Sequence, residues 1–262
     1  MTNQSKSFAA DLVLAHKLAD AADVITLNRF NALDLIITTK PDNTPVTDAD
    51  KATEEKIRNL IRAANPGDHI IGEEFGGSDE KPNRYWVIDP IDGTKNFMRG
   101  IPTWATLIGL VENGEVVVGV VSSPALFRRW HGLKGGGAFL SVNKSEPSKI
   151  SVSKVANLED ASLSFSDLSG WGDSLEKFLT LIKKIWRVRA YGDFWSHMLV
   201  AEGAVDIAAE PKLALWDMAA LDVIVREAGG TFTALDGTPG VFGRSGLSTN
   251  GLLREQFLDA IK

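Results

Sequence analysis

The stretch Tyr85-Trp86-Val87-Ile88-Asp89-Pro90-Ile91-Asp92-Gly93-Thr94 joins a short apolar run to two aspartates, a glycine and a threonine. Tyr85 to Ile88 reads as a buried strand. Pro90 has no backbone N–H to give a sheet, so the strand is expected to stop there, and the aspartates need not alternate between faces. The chain can then wrap one centre, offering both carboxylates and the Ile91 carbonyl. Gly93 and Thr94 start a turn or helix whose free N–H groups can hold a phosphate. Aspartate is common before helices, and a lone carboxylate here would read as a cap. The pair, with Gly93-Thr94 attached, reads as a site.

Working outward, further carboxylates fall at the ends of predicted elements. Asp50 closes Val46-Thr47-Asp48-Ala49-Asp50 at a helix start, Glu73 and Glu74 follow the run Ile70-Ile71, and Asp217 follows Trp216 at another helix start. Residues at such ends point into loops, where sites are built. For Asp48 or Asp217 taken alone, a helix cap is the simpler reading. Clustered carboxylates raise one another's pKa, so a set of them implies a cation. Hard oxygen ligands suit Mg²⁺ or Mn²⁺ rather than Zn²⁺. The chain has no cysteine, which removes disulfides, thiolate metal sites and a cysteine nucleophile. Its four histidines, His16, His69, His131 and His197, lack ligand spacing. The net charge of −6 argues against a nucleic-acid partner, so positive charge for an anionic substrate must be local.

The rest of the 262 residues supplies the scaffold. Apolar spacing predicts helices over 8–30 and 48–64, separated by a polar, Pro-bearing loop at 38–45. Residues 106–111 and 116–121 flank an Asn-Gly turn and read as a hairpin, and 128–133 adds a strand. The polar patch 141–151 is the expected boundary between an N-terminal α+β lobe (1–145), carrying most ligands, and a C-terminal α/β lobe (146–262). Beyond it, strands and helices alternate: strands near 162–166, 187–190, 205–209, 231–233 and 247–249, helices near 175–184, 196–202, 217–228 and 252–261. The pattern is helices layered on sheets. Met1 to Ser7 is polar, and the most apolar run, Val116 to Val121, is too short to cross a bilayer, so a cytoplasmic protein with no membrane partner is expected.

Three runs taken together are specific: Ile71-Gly72-Glu73-Glu74, Trp86 to Phe97, and Trp216-Asp217-Met218-Ala219-Ala220. With Val46 to Asp50 and Arg226-Glu227-Ala228-Gly229-Gly230, they resemble, in order, the signature motifs of the inositol monophosphatase family. The resemblance implies an α/β (α+β) fold, the layered α-β-α-β-α sandwich shared with fructose-1,6-bisphosphatase. It implies hydrolysis of a small phosphate monoester, with two or three Mg²⁺ per site and a homodimer. By that resemblance Glu73, Asp89 and the Ile91 carbonyl hold one ion, and Asp89, Asp92 and Asp217 a second. Asp50 and Thr94, with Glu73 and a third metal, orient and activate the attacking water, while the Gly93 and Thr94 N–H groups bind phosphate. Lys40 falls near a loop lysine of the family's active site, with a solvated loop lysine as the competing reading.

Arg189-Ala190-Tyr191-Gly192-Asp193-Phe194-Trp195 lies where the family shapes its substrate pocket. Inositol-type members carry small, uncharged residues after that glycine. Asp193, Phe194 and Trp195 instead suit a cationic, partly flat substrate. In this the chain resembles the histidinol-phosphate phosphatase branch, whose substrate, an intermediate of histidine biosynthesis, carries an amine and an imidazole. Glu210 corresponds to a pocket glutamate within reach of that amine, and Arg189 is placed to bind substrate or to brace the pocket across a dimer interface. Asp193 has a second reading as a helix N-cap, and Phe194 and Trp195 as core. Inositol 1-phosphate is the alternative substrate, and a metal-dependent phosphate-binding module without turnover the alternative class. An aspartyl-phosphate phosphatase needs its aspartates two apart on a strand, whereas Asp89 and Asp92 are three apart around Pro90.

Overall fold

The computed structural model describes residues 3–77 and 82–262, with side chains from residue 8 onward; Met1 and Thr2, the start of the polar N-terminal run, lie outside the described residues. In chain order the elements are α1 (Asn3–Arg29), β1 (Ile37–Thr39), β2 (Pro45–Thr47), α2 (Asp48–Ala64), β3 (His69–Gly72), β4 (Arg84–Asp92), α3 (Thr94–Met98), β5 (Ala105–Glu112) and β6 (Glu115–Ser123). There follow β7 (Arg128–Leu133), β8 (Gly137–Val142), β9 (Ser148–Lys149), β10 (Ser162–Ser164), α4 (Leu175–Ile182), β11 (Arg187–Arg189) and α5 (Asp193–Ala201). The chain ends with β12 (Ile207–Glu210), α6 (Leu215–Glu227), β13 (Thr231–Thr233), β14 (Gly246–Thr249) and α7 (Arg254–Ile261).

Strands β3 to β9 form a seven-stranded sheet in sequence order, and the other large sheet runs β11-β10-β12-β14-β13. Five layers result: α1 with α2, the larger sheet, α5 with α6, the smaller sheet, and α4 with α7. The α-β-α-β-α sandwich is thus the observed architecture. Period-2 burial explains the larger sheet. Trp86, Ile88, Ile108 and Leu110 face α1 and α2 in one core, while Tyr85, Val87, Leu107 and Val121 face α6 in another. Both faces are covered, so these strands are apolar throughout. The hairpin expected around Asn113-Gly114 is β5–β6. The segment 38–45, expected as loop, carries part of the two-stranded ribbon β1–β2. Strand β9 pairs with β8, so the larger sheet extends past residue 145, and α6 packs against both sheets.

The central helix sits close to the larger sheet for a specific reason. Gly109 of β5, Gly119 of β6 and Gly132 of β7 are consecutive register partners, forming a row without side chains. A Cβ at Gly119 would stand 2.5 Å from the Ala220 carbonyl oxygen, and one at Gly132 would stand 2.9 Å from the Ile224 Cα. Helix α6 therefore lies with its backbone against the strands, a fit no larger residue allows. Gly119→Ala is expected to destabilise by about 1–3 kcal/mol, the usual cost of overpacking. Gly67→Ala, with open space around the added methyl, should be near neutral; denaturant midpoints for the two variants check the contrast.

Candidate active site

Strands β3 and β4 run parallel, with Gly72 opposite Ile88, and the pairing extends one residue further through the Glu73 N–H to the Ile88 carbonyl (3.2 Å). Glu73 and Asp89 therefore leave adjacent strand ends together, the usual place for a site in a parallel pair. Strand β4 does not stop at Pro90 as its sequence suggests. It continues to Asp92, with a register shift against β5: Asp89 faces Leu107 and Asp92 faces Ala105. Three residues on β4 thus span two on β5, a bulge that absorbs the missing proline N–H and turns both aspartates to one side. Thr106 Oγ1 donates to the Pro90 carbonyl at 2.8 Å and pins the bulge.

The seating of α6 brings Asp217 to the same point. Ligand oxygens of Asp89, Asp92 and Asp217 lie within 4.8 Å of one another. Burial, then the neighbouring Glu73, Asp92 and Asp217 charges, pushes Asp89 well above the usual carboxylate range. Burial and the Asp193 and Asp217 charges do the same to Asp92. Burial raises Asp217 to about 7, against the Ala214 N–H that donates to its Oδ2 at 2.7 Å. Among the described residues none of the three forms an ion pair with lysine or arginine. Three mutually repelling carboxylates, Asp89 buried and Asp92 and Asp217 half-buried, fit a hard divalent cation, and among the described residues no lysine or arginine side chain substitutes for one.

Around this cluster stand the other expected residues. Asp50 is the third residue of α2 in a capping box, its Oδ2 accepting from Thr47 N (2.7 Å) and Thr47 Oγ1 (2.6 Å). Its Oδ1 lies 3.4 Å from Thr94 Oγ1, which also donates to the Ile91 carbonyl at 3.0 Å. Burial raises Asp50 to about 6. Lys40, on the turn between β1 and β2, bridges Glu73 (2.8 Å) and Glu74 (2.7 Å), so it is not a solvated loop lysine. Glu73 therefore borders the three-carboxylate group without belonging to it. Gly93 adopts φ +83 in a tight space, where a Cβ would stand 2.9 Å from the Thr103 carbonyl.

The turn into α5 is held by four side-chain oxygens. The N–H groups of Tyr191, Gly192, Asp193 and Phe194 donate to Ser164, Ser196, Ser166 and Asp92 respectively, at 3.3, 3.0, 2.7 and 2.8 Å. Gly192, not Asp193, occupies the cap position. The Asp193 carboxylate accepts instead from Asn96 Nδ2 (3.0 Å), beside Gly93. Ser166 Oγ also donates to Glu210 Oε1, tying Asp193 and Glu210 to one hydroxyl. Burial raises Glu210 to about 8. Phe194 departs from its expected pocket role: its ring is buried in the core against Trp130, and only its N–H reaches the site. Trp195 is partly buried, 5.5 Å from Tyr191, with its Nε1 unpaired. Arg189 stands exposed on edge strand β11, donating to the Val188 carbonyl, and among the described residues no hydrogen bond or ion pair joins it to the cluster. Asn96, Ser166 and Thr106 escaped the sequence reading, since single small polar residues in a short helix, a bend and a strand carry no periodic signal.

A model of the inositol monophosphatase family matches residues 10–260. The chain belongs to that family. A histidinol-phosphatase of Mycobacterium tuberculosis is 59% identical over 250 residues, covering 95% of this chain and 96% of the relative. One from Streptomyces coelicolor is 55% identical, covering 95% of each. An IMPase structure from Thermotoga maritima superposes with a TM-score of 0.85 at 30% identity, covering 96% of each chain. In this inositol monophosphatase family member, the raised aspartates should make stability depend on pH. A carboxylate whose folded pKa lies above its unfolded value stabilises fully at low pH and loses that contribution as pH rises through the folded pKa. Metal-free protein should lose thermal stability between about pH 4 and 7, the span from an ordinary aspartate to the raised Asp217. At pH 8, Mg²⁺ at about 100 times its Kd should restore roughly 2.7 kcal/mol; melting curves with EDTA or Mg²⁺ across that range check it.

Proposed function

We propose that this protein is a histidinol-phosphatase, hydrolysing L-histidinol phosphate to L-histidinol and phosphate in a Mg²⁺-dependent reaction. The carrying observation is the link made by Ser166, whose Oγ donates to the buried Glu210 carboxylate and accepts the Asp193 N–H, with the next N–H, that of Phe194, bound to Asp92. A cation-accepting end thus adjoins the phosphate end. The similarity to histidinol-phosphatases supports the same reading. Glu210, raised by burial, would be drawn back to its ionised form by a substrate ammonium, so it favours a cationic substrate over a neutral polyol. The partly buried Trp195 offers an apolar wall to an imidazole.

Glu73, Asp89, the Ile91 carbonyl, Asp92 and Asp217 would hold two or three Mg²⁺, or Mn²⁺ in substitution, with Asp50 beside the third. Such ions supply positive charge that lowers the pKa of water and offsets charge developing on the phosphoryl group. The residues of the chain do the rest. Gly93 and Thr94 N–H groups hold phosphate oxygens. Thr94 Oγ1 and Asp50 orient the water on the side away from the ester oxygen, and Asp50, at about 6, or Glu73 accepts its proton. The water oxygen bonds to phosphorus as the ester P–O bond breaks, and the departing alcohol oxygen takes a proton from solvent, balancing the one the attacking water gave up. By family resemblance the enzyme works as a homodimer, and the polar start of the sequence supports a cytoplasmic location; no helix among the described residues is long and apolar enough to cross a membrane.

Asp193→Ala should lower kcat/KM for histidinol phosphate by about 10- to 100-fold, the cost of a hydrogen bond to a charged group. Inositol 1-phosphate turnover should change far less. Equal losses on both substrates, in a panel of kcat/KM values, would reject the pocket assignment. Asp92→Asn or added EDTA should abolish release of phosphate from every monoester.

A further inference from the structure

The buried face of α2 includes Asp50, Glu54, Ile57, Arg58 and Ile61. Glu54 is fully buried, which for a carboxylate is costly unless it is completely partnered. Its partners all serve one turn, residues 72–76. Oε2 accepts from Glu74 N at 2.7 Å, and Oε1 accepts from Phe75 N at 3.2 Å and from Arg58 Nε at 2.7 Å. Arg58 in turn donates through Nη2 to the Gly76 carbonyl and places its guanidinium 5.9 Å from the Phe75 ring. The turn is closed by Gly72 N to the Gly76 carbonyl at 3.0 Å. A Cβ on Gly72 would fall on the Glu54 carboxylate, so the glycine in Ile71-Gly72-Glu73-Glu74 makes room for that side chain.

We propose that Glu54 is a positioning residue for the cation site, a role that rests on the Mg²⁺ reading above. It does not reach the carboxylate cluster. It fixes the amides of Glu74 and Phe75, while the Ile88 carbonyl fixes the amide of Glu73, so the Glu73 side chain leaves a backbone clamped on both sides. Partners that orient ligands in this way typically govern metal affinity by 10- to 100-fold. Glu54→Gln replaces one acceptor with an NH₂ group that must face an N–H or the guanidinium. Glu54→Asp keeps the charge and loses the reach.

The test is Mn²⁺ binding to the full-length, metal-stripped protein by electron paramagnetic resonance, with Mn²⁺ alone as the probe. Glu54→Gln should bind about 10-fold more weakly than the unaltered protein, and Glu54→Asp should shift in the same direction. Half-maximal Mg²⁺ for turnover should rise in parallel, while kcat at saturating Mg²⁺ falls much less. Asp11→Asn breaks an ion pair between α1 and β4, Asp11 with Arg84 at 2.6 Å, and should lower stability with Mn²⁺ affinity unchanged. Unchanged affinity in both Glu54 variants, or an equal loss in Asp11→Asn, overturns the positioning role. No Mn²⁺ binding by the unaltered protein would instead overturn the cation site itself.

Discussion

Helix α6 lies on a row of glycines, and that close contact is what makes the site. Gly109, Gly119 and Gly132 remove the side chains that would hold the helix away, so its backbone meets the strands directly. The N-terminal turn of α6 then carries Asp217 to the end of β4, where the bulge has already turned Asp89 and Asp92 to one side. Apolar packing along the sheet brings three like charges together. The repulsion shows as raised pKa values, of the kind a divalent cation would relieve. Stability stored in the core thus maintains a locally unfavourable arrangement, the common condition of catalytic sites.

The second organising feature is the use of backbone N–H groups. Four consecutive amides entering α5 are bound by Ser164, Ser196, Ser166 and Asp92. Two amides after β3 are bound by Glu54. In both places side-chain oxygens replace the strand or helix partners that a turn lacks. The α5 turn joins two chemistries: Asp92 belongs to the carboxylate cluster, and Ser166 links Asp193 with Glu210. The carboxylate cluster and the Asp193–Glu210 link therefore share one short stretch of backbone.

Much of this was legible in the sequence. Asp50, Glu73, Asp89, Asp92 and Asp217 stand at element ends, where periodic patterns break, and each break was visible. The hairpin at Asn113-Gly114 and the stop at Gly229-Gly230 follow from local backbone preferences. Glu54 was missed although its signal was present: it falls at helical spacing between Asp50 and Ile57, on the face that turns inward. A glutamate with arginine four residues on is ordinarily a solvated pair, and only the contact with the turn after β3 makes it otherwise. Phe194 is the converse case. Its neighbours suggested a pocket, but an aromatic ring beside a site is equally suited to a core, and packing against Trp130 decides.

The sequence by itself determined which chemical groups are available and in what order: hard oxygen donors, a glycine-threonine turn for an anion, and no cysteine to compete. Those depend on residue type and local conformation, which are encoded within a few positions. Only the tertiary structure decided that Asp217 meets Asp89 and Asp92, that the strand continues through Pro90 as a bulge, and that Asp193 turns to Asn96 rather than capping its helix. These outcomes depend on contacts between residues up to about a hundred positions apart or more, such as Asn96 with Asp193 and Gly119 with Ala220. Their geometry is set by how whole layers pack, to which each local segment contributes only a part.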